Sequence, residues 1–259
     1  MGIKKLPSYK DYWSSRLEMR DPLISSIMSR DRFSWMLANL HLNDNSVQPG
    51  RDHQNFDKLY KLRPLLDVLS DTYKNALKPS QHQAIDESMI RFKGRSSLKQ
   101  YTPKKPVKRG YKVWIRSENS GYVCQFQIYT GKIGQMTEKS LGGRVVRDLT
   151  RDLVGKGYEI YIDNYFNSVE LQKQLQTEMI YACGTVRKDR KNLPTDLLDD
   201  KQLTRGEFDW RVSTDGLTFL KWMDNRPVHF LTNYLDPCKN QCMGFPQKKR
   251  WFRGRCYLS

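Results

Sequence analysis

Two aspartates stand at the ends of strand-like runs: Asp86 in Ala84-Ile85-Asp86-Glu87 and Asp163 in Tyr161-Ile162-Asp163-Asn164. If these strands are neighbours in one sheet, both carboxylates project from the same edge. Hard oxygen donors so placed suit Mg2+ or Mn2+, and a pair of such ions can activate a nucleophile and hold a leaving oxygen in phosphoryl transfer. Without a cation, carboxylates about 4 Å apart repel by roughly 1 kcal/mol in water and roughly 4 kcal/mol near a protein surface, a penalty that a metal removes. An Asp closing a strand is also a common turn former or helix cap, and spacing alone leaves both readings open.

Next to Asp86 the chain turns basic. Residues 91–116 hold ten Lys or Arg and no acid, with Phe92, Tyr101, Tyr111 and Trp114 interleaved. Arg91, Lys93, Arg95, Lys99, Lys104, Lys105, Lys108, Arg109 and Lys112 are the candidate contacts to a nucleic-acid backbone; the alternative is a solvated strand-and-loop face. The whole chain carries 45 Lys+Arg against 28 Asp+Glu, a formal charge of +17, which favours a polyanionic partner. Cys238, Cys242 and Cys256 lack the paired C-x2-C spacing of a zinc site, and only His229 offers a fourth ligand, so zinc is not expected. Cys124 and Cys183 fall in strand runs and read as buried packing residues.

The elements that must position these groups can be read from periodicity. Phe33, Met36, Leu37 and Leu40 fall on one helical stripe, with Trp35 off it; Leu62, Leu65, Leu66, Leu69 and Tyr73 form a second, with Pro64 in its first turn. Both stripes are read as core. Residues 43–54 are polar, contain Pro49-Gly50 and read as a loop. A strand is predicted at 83–86, then a hairpin of 111–115 and 123–129 around Asn119-Ser120-Gly121. A helix through Val145, Leu149 and Leu153 stops at Gly155-Lys156-Gly157. A strand at 158–162 leads to Asp163. Asn167 with Glu170 resembles a capping box, opening a helix with Leu171, Leu175 and Met179 on one face. Short β segments follow at 182–186, 208–210, 217–223 and 228–231. The expected class is α/β, a mixed sheet with flanking helices.

No run of about 18 apolar residues exists, so no membrane span is expected. The start lacks the apolar stretch of a secretory signal, and Leu6 breaks the myristoylation pattern. Five scattered cysteines, an odd number, suit a reducing compartment, nuclear or cytosolic.

Residues 85–101 (Ile-Asp-Glu-Ser-Met-Ile-Arg-Phe-Lys-Gly-Arg-Ser-Ser-Leu-Lys-Gln-Tyr) and 103–114 resemble the first catalytic block of the piggyBac-type transposases. Residues 161–168 (Tyr-Ile-Asp-Asn-Tyr-Phe-Asn-Ser) resemble the second block. Residues 183–187 and 222–228 also fit, as does 32–45 in the upstream helical region. The resemblance covers roughly residues 7–235. It implies a helical DNA-binding and dimerisation region over 1–80, a ribonuclease H-like catalytic core over 81–190 and a β-rich insertion over 191–236; the tail at 237–259 departs from the pattern, and its basic, acid-free and aperiodic stretch from Lys239 is expected to be disordered. The resemblance further implies metal-dependent cut-and-paste transposition at TTAA sites, Asp86 and Asp163 as two of three Asp ligands of Mg2+ or Mn2+, transposon-end DNA and a second copy of the chain as partners, and a nuclear protein.

The family's third Asp lies in a Gly-Val-Asp-x-x-Asp-Gln-like block, and these 259 residues contain none. Asp215, Asp224 and Asp236 are the last acids, and none has that context. Members of a catalytic unit fail together, so the expectation is a DNA-binding, transposase-derived protein without strand transfer. The alternatives are an enzyme completed in trans and a domesticated chromatin or protein-interaction module.

Overall fold

A 10-residue strand, β1 (His82–Arg91), carries the first aspartate, and its alternation sorts the rest of the sheet. The computed structural model describes residues 4–131, 138, 140–235 and 237. The tail expected from 237 onward, with Asp236, Cys238, Cys242 and Cys256, lies outside the described residues, Pro237 apart.

The chain forms two compact units, Met1–Val68 and Leu69–Ser259. The first contains α1 (Pro22–Ile27), capped by Asp21, and α2 (Arg30–Ala38), capped by Ser29. α3 (Arg63–Ala76) begins here and carries Pro64 in its first turn, where the missing N–H costs nothing. A small aromatic cluster joins Tyr9 and Trp13 to Phe33, with ring centroids 5.7 and 5.5 Å apart, and the Trp13 indole donates to the Met28 carbonyl at 2.8 Å. Asn43 anchors the loop by donating to the Tyr60 carbonyl at 2.8 Å. The helices form where periodicity predicts, but the stripes are not core. None of the residues of α2 or α3 is buried, and Met36, Leu37, Leu40 and Leu65 are all more than 40 % exposed. A helical stripe specifies an apolar face; it does not specify that the same stretch of chain covers it.

In the second unit the strands are β1, β2 (Gln100–Tyr101), β3 (Arg109–Glu118), β4 (Val123–Ile128), β5 (Glu159–Ile162), β6 (Tyr181–Thr185), β7 (Phe208–Val212), β8 (Thr218–Met223) and β9 (Pro227–Thr232). They form one mixed sheet in the order β2-β3-β1-β5-β6-β9-β8-β7, with β4 also on β3. β1, β5 and β6 are mutually parallel at its centre, and the other pairings are antiparallel. The β3–β4 turn closes at Gly121, whose φ of +85° suits a residue without a Cβ. β7–β9, the short segments after residue 191, extend this same sheet through β6–β9 pairing.

α4 (Leu141–Thr150) and α5 (Val169–Thr177) cover one face of the centre. Val145, Val146, Leu149, Leu171 and Leu175 pack there against Ile85, Trp114, Ile160, Ile162 and Ala182. Each buried Leu or Ile of this kind contributes about 1.5–3 kcal/mol of transfer free energy. Arg116 is sunk into the same face, donating to both Asp152 oxygens at 2.9 and 2.7 Å and to Gln83 at 2.5 Å. On the opposite face Ile90, Tyr161 and Tyr181 remain substantially exposed.

The α5 N-cap differs from expectation by one residue. Ser168, not Asn167, caps the helix, accepting from the Leu171 N–H. Asn167 is fully buried instead and bridges strands: its amide donates to the carbonyls of Gly184 and Leu231 and its oxygen accepts from Gln172. Asn233 forms the neighbouring link, accepting from Ala182 N–H and donating to the carbonyls of Gln172 and Ile180. Together they fasten α5 and β9 to β6. Met179 lies beyond the helix at φ +54° and is exposed rather than on the buried stripe.

Candidate functional site

Strand register places the two aspartates next to one another in the sheet's order. β1 and β5 run parallel with Ile85 opposite Ile162; Asp86 is the next residue within β1, which runs on to Arg91 rather than ending at 86 as expected, and Asp163 is the first residue after β5. Ile85 and Ile162 are buried beneath α4 and α5; alternation along β1 turns Asp86 toward the other face, and Asp163 opens the turn that follows β5. Both are exposed. Each is oriented by one local bond through Oδ1, Asp86 accepting from the Glu87 N–H at 2.7 Å and Asp163 from the Tyr165 N–H at 2.8 Å. The Asp163 bond is an Asx turn, so the structural role of an Asp at this position is present alongside any chemical one. Oδ2 of each carboxylate stays available to an ion.

The β6 backbone lies close beside this point. Gly184 pairs with Ile162, and a Cβ at 184 would overlap the Ile162 carbonyl. A side chain there would therefore push the very residue that precedes Asp163. Arg190 braces the same turn from its other side, its guanidinium donating to the carbonyls of Asn164 and Tyr165 at 3.1 and 2.8 Å. Tyr165 is held among acidic neighbours; burial first, then the charges around it, push its phenol above the ordinary range.

The donor set fits a hard divalent cation in kind: one carboxylate on β1 and one in the turn directly after the neighbouring β5. It is incomplete in number, since no group of three or more His, Cys, Asp or Glu suited to a metal occurs among the described residues. Asp215 pairs with Lys173 and Asp224 with Arg205, so neither joins the pair.

The basic strip divides by environment. Arg91, Lys93, Arg95, Lys104, Lys108 and Arg109 are exposed. Lys105 pairs with Glu87 at 3.2 Å, Lys99 donates to the Gly94 carbonyl at 2.7 Å, and Lys112 lies over the rings of Tyr165 and Trp114 at 5.0 and 5.7 Å. Arg116, the tenth cation, is buried and committed to Asp152. Sequence reading treated the cations as one strip; pairing and burial separate them.

A second cationic group was not singled out from the sequence. Arg187, Arg190 and Lys191 follow β6 and line a cleft with the N-terminal turns of α4 and α5, next to the Asp163 turn. The run Arg187-Lys188-Asp189-Arg190-Lys191 is the signal that could have found it. Cys183, as expected, is buried, and burial pushes its thiol up to about 11, which leaves it unreactive at neutral pH.

Comparison with known proteins places this arrangement. A family model described as Transposase IS4 matches residues 1–254. The human PiggyBac transposable element-derived protein 3 is 33 % identical over 236 residues, 88 % of this chain and 39 % of that protein. The human PiggyBac transposable element-derived protein 2 is 28 % identical over 240 residues, 90 % of this chain and 40 % of the relative. The chain thus spans about two fifths of the length of these relatives. Among solved structures, the cryo-EM piggyBac transposase synaptic complex with hairpin DNA superposes with a TM-score of 0.75 at 26 % identity, covering 88 % of this chain and 48 % of the other. The mixed sheet and flanking helices are those of the ribonuclease H-like catalytic domain that the sequence resemblance implied, and the chain belongs to the piggyBac-type transposase family.

Proposed function

We propose that this chain is a transposase-derived DNA-binding protein of the nucleus, in which Asp86 and Asp163 hold part of a Mg2+ or Mn2+ site and the β1–β3 cations hold the DNA backbone. The observation that carries the reading is that neighbouring parallel strands, paired Ile85 to Ile162, are each followed at the next residue by an aspartate, with an acid-free basic segment downstream of the first. A divalent ion at the pair would supply charge neutralisation and activation of a nucleophile for phosphoryl transfer. The protein's own part is to orient each carboxylate by one local backbone bond, an Asx turn at Asp163 and the Glu87 N–H at Asp86, and to hold phosphates with Arg91, Lys93, Arg95, Lys104, Lys108 and Arg109. Transposon ends, a TTAA target and pairing with a second copy belong to this proposal through family likeness.

Two carboxylates hold an ion loosely and leave a second one unfixed, so these 259 residues alone are proposed to bind DNA without efficient cleavage. A third carboxylate supplied from outside them would change that outcome. Binding is tested by titrating duplex DNA at two salt concentrations. With 6–10 phosphate contacts, affinity falls by roughly 10^3–10^5 between 50 and 200 mM salt; a flat response defeats the reading in favour of a protein-interaction module. Catalysis is tested with Mn2+ and end-containing DNA, where robust nicking lost in Asp86→Ala would show a working site.

A further inference from the structure

At the far end of β1 the basic strip closes around a pocket of about 530 Å3 formed with β2 and β3. Five of its nine lining residues are Lys or Arg, none is acidic, and Phe92 and Tyr101 supply rings. Tyr101 is 62 % exposed. It faces Arg109 across the β2–β3 ladder, with the guanidinium 5.1 Å from the ring centroid. Phe92 rests against Tyr111, centroids 4.9 Å apart and planes at 30°.

Cations alone serve the backbone of a duplex. An exposed aromatic ring inside a concave cationic pocket gains nothing from a duplex, whose base faces are stacked on one another. It gains from a base with a free face. The volume falls within the range of pockets that take a small organic moiety, about 300–1,000 Å3. The pocket is also in line with the aspartates. Asp86, Ser88 and Ile90 share one face of β1, and Phe92 is the first residue after the strand. At about 3.3 Å per residue of extended chain, Phe92 stands roughly 20 Å from Asp86, just past the end of β1.

We infer that this pocket takes an unpaired nucleotide of single-stranded DNA, its base stacked on Tyr101 and its phosphate held by the surrounding cations. The inference rests on the DNA-binding reading above. It adds that strand separation or an overhang near the aspartates is recognised directly, rather than by duplex contacts alone.

The test compares the 259-residue chain on a blunt duplex and on the same duplex with a short single-stranded extension containing 2-aminopurine. Stacking on one aromatic is worth about 1–3 kcal/mol, so the extended DNA should bind roughly 5- to 150-fold tighter, with quenched 2-aminopurine fluorescence. Tyr101→Leu should remove the advantage and the quenching while blunt-duplex affinity stays unchanged; Tyr101→Phe should keep all three. Equal affinity of the unaltered protein for the two DNAs overturns the inference and leaves duplex binding intact. So does a Tyr101→Leu loss that is equal on both. Failure of the unaltered protein to bind either DNA overturns the DNA-binding reading itself, and this inference with it.

Discussion

α2 and α5 are both nine residues long, both are capped by a serine side chain, and both carry an apolar stripe. In α5, Leu171 and Leu175 are 2 % and 0 % exposed; in α2, Met36 and Leu37 are 47 % and 52 % exposed. What differs is the partner. The β1–β5–β6 centre presents Ile85, Ile160, Ile162 and Ala182 to α5 and α4, whereas in α2 Phe33 meets the rings of Tyr9 and Trp13 and no residue of the helix is buried. Local sequence encodes which face of a helix is apolar, and topology alone encodes whether that face is covered.

The largest expected effect breaks this comparison if it fails. Leu175→Ala should destabilise the second unit by about 2–5 kcal/mol, because it opens a cavity under the sheet. Leu37→Ala should stay within about 0.5 kcal/mol, as for other exposed positions. Urea denaturation of both variants beside the parent chain checks the pair. A comparable loss from Leu37→Ala would show that the α2 face is covered in solution.

The same contrast explains what could be read in advance. Strands and helices of the second unit were legible because apolar periodicity, Gly121 and the Gly155-Gly157 stop agree with the packing that results. Asp163 was legible as a residue closing a strand, but Asp86 was not: the strand expected to end there runs on to Arg91, and only the Ile85–Ile162 register places the two aspartates next along neighbouring stretches of chain. Asn167 was not legible. A polar residue three before a glutamate looks like a cap, yet three-dimensional packing buries it between Gly184, Leu231 and Gln172, and the cap passes to Ser168. Arg190 escaped for a related reason, since its role depends on carbonyls 25 and 26 residues away. Non-local hydrogen bonds leave no periodic trace in sequence.

Asn167→Ala sharpens that point at a smaller magnitude. It removes the Asn167 donor to the buried Gly184 carbonyl, while Gln172 still donates to the Leu231 carbonyl, and one unsatisfied buried group costs about 1–3 kcal/mol. Hydrogen exchange should accelerate in β9 and α5 more than in β1 and β3. Ser168→Ala, which removes only the cap, should cost about 1 kcal/mol and leave β9 protection alone. Were the two substitutions indistinguishable in β9, the bridge would have no special role there.

The smallest effect concerns the sheet's other end, where a titratable group takes the place of an apolar one. His229 on β9 stacks on Phe219 of β8, centroids 5.6 Å apart and planes at 12°. Burial first, and then the charge of Lys221, lower its pKa below the ordinary 6.5, with Asp200 opposing. Above about pH 6.5 the imidazole is neutral in both folded and unfolded chains and pH has no hold on it. As pH falls through 6.5, the unfolded chain takes up the proton first, so stability drops, and the loss levels off once pH passes below the folded value. Carboxylates titrate lower down, which makes a comparison with His229→Phe necessary: the variant keeps a ring against Phe219 and has no proton to bind. Thermal melts between pH 7.5 and 5.5 should show the parent chain losing stability faster than the variant. If the parent instead gains on acidification, an acidic neighbour rather than burial governs His229, and the β8–β9 end of the sheet is wetter than its partner rings imply.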